Sequence, residues 1–196
     1  MRELVYYVGV SIDGRIAGPG GEFDFYPEGT GEQFAAYRAW MTREFPETIP
    51  TMLREQVGVA DAPNRTMDTV VMGLGTYRPA LDSGVTSPYA HLRQYVVSTT
   101  LPESPDPSVH LVRGDPVGLV RSLKRQDGKG IWLAGGGRLA GALWPEVDRM
   151  VVKSYPVVAG AGIPVVDGAF DPTGFAVTDR AVFDNGVVVS WLSRRR

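Results

Sequence analysis

Three apolar runs of this chain end on residues whose backbone or hydroxyl groups can hold an anion. Val70-Val71-Met72 enters Gly73-Leu74-Gly75-Thr76, Val96-Val97 enters Ser98-Thr99-Thr100, and Ile131-Trp132-Leu133-Ala134 enters Gly135-Gly136-Gly137-Arg138-Leu139. Glycine lacks Cβ, so a ligand can approach the backbone there, and the free N–H groups of a helix start attract phosphate oxygens. The chemistry on offer is the grip of a pyrophosphate by bare amides, with hydroxyls beside it. A plainer reading makes each loop only a sharp strand-to-helix turn. Gly135, Gly137 and Ala140 also satisfy the spacing G-x-G-x-x-A of a Rossmann dinucleotide site, but that fingerprint belongs to the first βα turn of a unit with an acid about 20 residues later. Here it lies in the last third of the chain, and the following strand, Met150 to Tyr155, supplies Lys153 and no acid.

A second group joins the acids Glu22, Asp24, Glu28 and Glu32 to the rings of Phe23, Phe25, Tyr26 and Phe34. Aromatic faces beside a carboxylate suit a flat heterocycle, with Asp24 as its polar anchor and Phe25 and Phe34 as stacking partners. The same rings also serve as core staples. Asp13-Gly14 reads as a turn in which Asp13 bonds its own backbone. Other chemistries are excluded by composition. The chain has no cysteine, which removes disulfides, thiolate catalysis and thiolate zinc sites. Its two histidines, His91 and His110, have no carboxylate at ligand spacing and read as surface residues, so no metal is expected. Twenty basic against 22 acidic residues give a net charge of −2, no field for nucleic acid or an acidic membrane, and Arg194-Arg195-Arg196 reads as a solvated tail. No run of 18 apolar residues spans a membrane, and the N-terminal run stops at Asp13, too early for a signal peptide. A cytoplasmic protein with a small-molecule partner is expected.

These residues need elements to position them. Leu4 to Val10, Thr69 to Met72, Gln94 to Ser98, Ile131 to Ala134 and Arg149 to Tyr155 are short, continuous apolar runs of the kind that suits strands covered on both faces. Phe34, Tyr37, Met41 and Phe45 mark a helix from Glu32 to Phe45. Pro116 to Gln126, capped by Asp115, and Arg138 to Leu143 are two more. Near the end, Asp184-Asn185-Gly186 between two strand-like runs, Phe175 to Phe183 and Val187 to Leu192, signals an antiparallel hairpin. Its exposed edge offers a surface for pairing two copies as a homodimer. The pattern predicts one α/β domain, residues 1–196, with a central, mostly parallel twisted sheet flanked by helices. Residues 45–66, rich in proline, stand outside it as an insertion, either a lid or a passive surface loop.

In their order along the chain these segments resemble the dihydrofolate reductase-like fold, in particular the reductase domain of bacterial riboflavin biosynthesis, the RibD C-terminal domain branch. Val10-Ser11-Ile12-Asp13-Gly14-Arg15-Ile16-Ala17 is similar to its S-[LI]-D-G-x-I-A pattern. Met72-Gly73-Leu74-Gly75-Thr76-Tyr77 resembles M-G-R-x-T-[YW], Ala134 to Arg138 resembles the G-G-G-x loop, and Gly160 to Pro164 resembles a late turn. The resemblance implies NADPH as cofactor, with NADH not excluded. It implies that Gly73, Leu74, Gly75 and Thr76 meet the adenosine side and pyrophosphate, Ser98 and Thr99 the 2′-phosphoribose, Gly135, Gly136, Gly137, Arg138 and Leu139 the pyrophosphate, and Gly9, Ile16 and Ala17 the nicotinamide. Leu74 departs from the family's arginine, and Arg113 is the cation that would replace it. Folate-reducing members carry an acid on the helix after the mobile loop, whereas Gly29 stands near that place. The implied activity is reduction of a heterocyclic or sugar-linked substrate, with 5-amino-6-(5-phosphoribosylamino)uracil as candidate; dihydrofolate reductase and a non-catalytic nucleotide-binding module are the alternatives. The catalytic proton donor is unassigned. A carboxylate at Gly137 is expected to abolish cofactor binding while the fold survives.

Overall fold

The computed structural model describes residues 1–195. Its elements, in chain order, are β1 (Leu4–Val10), β2 (Arg15–Ala17), α1 (Gly31–Glu44), α2 (Thr51–Arg54), β3 (Met67–Gly73), α3 (Leu74–Asp82), β4 (Arg93–Val97), β5 (Val109–Val112), α4 (Pro116–Lys124), β6 (Gly130–Gly135), α5 (Gly137–Ala142), β7 (Arg149–Ser154), β8 (Ile163–Pro164), β9 (Phe175–Val182) and β10 (Val188–Arg194). Eight strands form one sheet in the order β5-β4-β3-β6-β1-β7-β10-β9. The first six run parallel, and β10 and β9 close the sheet antiparallel. Parallel pairing puts the carboxyl ends of six strands on one edge, the edge where the glycine loops lie.

The sheet is buried on both faces, which is why its strands read as unbroken apolar runs. One face carries Tyr7, Val70, Met72, Trp132, Val151 and Val189, packed with Tyr37 of α1 and Tyr77 of α3. The other carries Leu4, Tyr6, Val8, Ile131 and Leu133 against Val120 and Leu123 of α4 and Leu139 of α5. Two helix starts follow the expected chemistry. Thr30 and Gln33 form a capping box at α1, and the Asp115 side chain accepts from Gly118 N at 2.8 Å, with Pro116 in the first position of α4.

Two elements escape the sequence reading. The helix α3 is hidden by Gly75 and Pro79, both poor helix residues; its N-cap is Gly73, and Thr76 sits inside the first turn. The other is the antiparallel pair β2–β8, which ties Arg15 and Ala17 to Pro164 and Ile163. A strand pair of this length carries no periodicity for a sequence to show.

The segment 45–66 is latched and lies away from the glycine edge. Glu47, fully buried, accepts from Thr66 N at 2.8 Å, Thr66 Oγ1 at 2.6 Å and Met67 N at 3.1 Å, at the amino end of β3. Arg54 donates to the carbonyls of Pro46 and Ala62, each at 2.6 Å. Of the two readings left open for it, this placement favours the passive insertion over a lid: the segment is pinned at the opposite end of the strand from Gly73. His91 is likewise no loose surface residue, for its ring bonds the Glu47 carbonyl at 2.9 Å and Thr51 Oγ1 at 3.2 Å. Nor is Arg194 part of a solvated tail. Its guanidinium donates to Val147 O at 2.6 Å and to Trp144 O, and lies over the rings of Trp144 and Phe175; Arg196 lies outside the described residues. At the free edge of β9, Val177 and Val182 are 52% and 71% exposed, on the strand where pairing of two copies is expected. Among the described residues no helix is long and apolar enough to cross a membrane.

Candidate active site

The carboxyl edge of the sheet gathers stretches far apart in sequence. A Cβ placed on Gly73 would sit 3.6 Å from Gly135 O and from Gly136 N, and one on Gly136 would sit 3.9 Å from Thr76 Oγ1 and 4.0 Å from Ile16 Cδ1. The ends of β3 and β6, the first turn of α3 and the strand β2 therefore face one another across a few ångströms. Both helices begin on a glycine with no side-chain cap, so the first-turn amides lack the carboxylate or hydroxyl that usually takes them. Gly75 has open space where a side chain would stand. Gly135 has φ +109°, a value that an L side chain rarely adopts, and the Gly135–Gly136 peptide is cis.

Neighbouring strand ends extend this edge. Ser98 and Thr99 follow β4, and Arg113 follows β5, so the candidate residues line up from Arg113 through Ser98, Gly73 and Gly135 to Gly9. Four steps between adjacent strands at about 4.8 Å span roughly 19 Å, a distance an extended dinucleotide bridges. Several side chains have other duties. Ser98 is buried, and its Oγ accepts from the amides of Thr100 at 3.2 Å and Leu101 at 3.0 Å. Arg113 donates to Leu101 O at 3.2 Å and to Pro102 O, which braces the same turn. Leu139 is core, and Leu74 packs against the α1 face, so each can offer only its backbone. Arg138 is 94% exposed and reaches Asp167 at 3.7 Å, pointing to solvent. Gly137 is buried under β8, where an added Cβ would strike the Pro164 carbonyl and lie 3.4 Å from Ile163 Cγ2. The expectation for Gly137 is thereby corrected, because a side chain there disturbs β8 as well as any ligand; Gly136 has the room that Gly137 lacks.

A crevice of about 380 Å³ opens beside this edge on the α1 face of the sheet, lined by Asp24, Glu28, Phe34, Tyr26, Tyr37 and Tyr155 among others. Of the residues expected at a substrate site, Asp24 and Phe34 line this crevice. Phe25 is not in the lining; its ring packs tilted by 33° against that of Tyr26, with centroids 4.4 Å apart. Tyr155, Tyr37 and Asn185 are the residues sequence reasoning missed. Tyr155 stacks on Tyr26 at 4.4 Å, bonds Tyr37 OH at 3.1 Å, and its Cε2 lies 3.2 Å from where a Cβ of Gly9 would be. Burial raises the pKa of all three phenols, to about 12 for Tyr26, so they act as neutral donors. Asn185, expected only as a hairpin residue, donates to Glu28 O at 3.3 Å and clamps the wall of the crevice. The alternation of Val151 and Lys153 along β7 with Tyr155 just past its end is the one available signal, but it names no face without the sheet around it.

Asp13 does more than expected. Within its own turn it accepts from Ser11 Oγ at 2.7 Å, and it also accepts from the amides of Ala159 and Gly160 at 2.9 and 2.8 Å, joining the β1–β2 turn to a loop 146 residues away. These donors hold its carboxyl at about 2, below the usual 3.8. A depressed value means that the latch is complete above 3.8 and is lost as pH falls through about 2. Asp13→Ala is expected to speed hydrogen exchange of the Ala159 and Gly160 amides at least tenfold at pH 7, while amides of β1 and β6 keep their protection; unchanged exchange would show that the latch is idle. Among the described residues no group of three or more His, Cys, Asp or Glu side chains is arranged to hold a metal ion.

Residues 2–189 match the sequence model of the RibD C-terminal domain. The uncharacterized Bacillus subtilis (strain 168) protein YwjB is 28% identical over 166 residues, 84% of this chain and 82% of its own. Among solved structures, a Shewanella sp. PV-4 protein provisionally assigned to riboflavin biosynthesis superposes over 100% of both chains with TM-score 0.68 at 23% identity. Enterococcus faecalis dihydrofolate reductase, solved with NADP(H), covers 99% of this chain and 97% of its own with TM-score 0.63 at 12% identity. The Thermotoga maritima deaminase and 5-amino-6-(5-phosphoribosylamino)uracil reductase gives TM-score 0.62 at 14% identity, with 99% of this chain on 57% of that one. The fold is that of dihydrofolate reductase.

Proposed function

The chain belongs to the RibD C-terminal domain family, and from that premise we propose that it is a reductase that uses a reduced nicotinamide dinucleotide to reduce a small, flat heterocyclic or sugar-linked substrate. One observation carries the reading: the backbone of Gly135 and Gly136 lies within 3.6 Å of the Cβ position of Gly73, and the Thr76 hydroxyl and Ile16 side chain within about 4 Å of that of Gly136, at two uncapped helix starts, beside an aromatic crevice. The residues fit a pyrophosphate, since bare amides and the open flank of Gly136 leave both donors and room. When bound, the cofactor supplies a hydride from its nicotinamide. This chain's part is to hold donor and acceptor close, to exclude water with Tyr26 and Tyr155, and to deliver a proton.

The 2′-phosphate end of the site is poor in free donors. Leu74 brings no cation, and two donors of Arg113 are engaged by carbonyls, which leaves its charge, rather than a free fork, for a 2′-phosphate. Dihydrofolate is not the favoured substrate, because α1 turns Phe34 and Tyr37 to the crevice while its carboxylates, Asp24 and Glu28, come from the preceding loop. Reduction of 5-amino-6-(5-phosphoribosylamino)uracil is the concrete candidate. Calorimetric titration with NADPH and NADH tests the reading: binding of at least one, with Kd on the order of micromolar, is expected, and no heat from either at millimolar concentration overturns it.

A non-catalytic nucleotide-binding module has one observation in its favour, the Tyr155 ring set against Gly9. Tight NADPH binding without turnover of any heterocycle would establish that reading, whereas turnover makes Tyr155 a wall against which the acceptor stacks.

A further inference from the structure

The chain has three lysines. Lys124 lies in an ion cluster with Glu146 at 3.7 Å and Asp148 at 2.6 Å, and Lys129 donates to Arg65 O at 3.3 Å. Lys153, on β7, differs from both. Its ammonium lies 4.2 Å from the centroid of the Tyr7 ring, and among the described residues no ion pair or hydrogen bond reaches it. Lys153 is the register partner of Gly9, and its Cε would lie 3.9 Å, ordinary contact distance, from a Cβ on that glycine, so its stem runs beside the bare backbone of β1. A half-buried ammonium whose three donors meet only an aromatic face is a group without its acceptor.

The titratable groups that face it are few. They are the phenols of Tyr7 on β1, Tyr155 just past the end of its own strand, Tyr37 on α1 and Tyr26 on the loop before α1, with Glu28 beside Tyr155; β10 brings Val189. Burial raises all four phenols and lowers Lys153 to about 8, so of these amine and phenol groups Lys153 alone changes charge near neutral pH.

We propose that Lys153 is the proton donor of the reduction, its ammonium meeting the nitrogen or oxygen of the acceptor's C=N or C=O bond above Gly9. This rests on the reductase reading. The acceptor carbon takes a hydride, with its electron pair, from the reduced nicotinamide. The π pair of the double bond moves to the heteroatom, which takes a proton from Lys153, and the neutral amine is recharged from water.

Lysine labelled with 13C at Cε gives three resonances, with that of Lys153 assigned by its loss in Lys153→Met. Its midpoint is expected near 8 in the free protein, and lower by about one pH unit with NADP+ than with NADPH, because the oxidised ring carries a positive charge. With NADPH and 5-amino-6-(5-phosphoribosylamino)uracil, Lys153→Met is expected to lower kcat about 100-fold or more with NADPH affinity kept within about twofold. The fall of wild-type kcat above the lysine midpoint disappears in that variant, and Lys153→Arg does not restore the rate, since a guanidinium does not release its proton. A Lys153 resonance that titrates with the other two lysines and ignores the cofactor's redox state overturns the proposal, as does wild-type turnover by Lys153→Met. If the wild type leaves this uracil unreduced, the resonance decides: a redox-dependent midpoint supports the proposal and an independent one ends it. Failure of the wild type to bind NADPH instead removes the reductase reading, and the inference with it.

Discussion

Gly136→Asp is expected to weaken NADPH binding by about 100-fold or more while the thermal midpoint moves by only a few degrees. The backbone at Gly136, with φ −84°, accepts any L residue, and a Cβ there meets nothing closer than Thr76 Oγ1 at 3.9 Å. The new carboxylate would stand among the amides proposed to grip the pyrophosphate. Two like charges about 5 Å apart at an effective dielectric near 20 repel by about 3 kcal/mol, which is more than two decades in affinity. Calorimetry for binding and circular dichroism for the melt check the two halves separately. Gly137→Asp is the contrasting variant: its side chain would strike the Pro164 carbonyl, so binding and β8 packing should fail together. Unchanged affinity in Gly136→Asp would place the dinucleotide elsewhere.

Glu47→Ala should do the reverse, with a loss of about 3–5 kcal/mol of stability and retained NADPH affinity in the protein that remains folded. The carboxylate is fully buried and takes two backbone amides and one hydroxyl within 3.1 Å; removing it leaves those donors without water or partner. For a chain of this size the midpoint falls by about 10 °C. Cofactor affinity should hold because Thr66 and Met67 lie at the amino end of β3 and Gly73 at its carboxyl end. Urea melts and calorimetry on the same sample measure both. A stability loss below about 1 kcal/mol would show that the latch of residues 45–66 is held by Arg54 and His91 without Glu47.

Taken together, the two variants separate the ends of one strand, and the chemistry of the two ends was unequally visible in the sequence. Gly73, Gly75 and the three glycines from Gly135 announce themselves, because no side chain could mask an absent Cβ. Glu47 gave no signal, since a lone glutamate among prolines looks like solvated surface until the amides of Thr66 and Met67 are brought to it. For Asp13 the sequence shows the local turn, in which it accepts from Ser11, but not the amides of Ala159 and Gly160, which are distant in the chain. The helix α3 was missed because Gly75 and Pro79 disfavour helix locally, and tertiary packing of Tyr77, fully buried, overrides them.

The crevice shows the limit most clearly. Asp24 and Phe34 belong to a local cluster of acid and rings visible in the sequence, but Tyr37 comes from a helix and Tyr155 from just past the end of β7, which only the sheet order brings together. By itself the sequence determined what is written in short-range pattern: apolar runs that must be covered on both faces, glycines that bare the backbone, capping residues and the Asn-Gly hairpin. The tertiary structure decided which side chains meet at the carboxyl edge, which donors are already spent, as with Ser98 and Arg113, and which cation is left without an acceptor. Those outcomes depend on contacts between residues far apart in the chain, and the free energy of such a contact is set by burial and geometry that no local window contains.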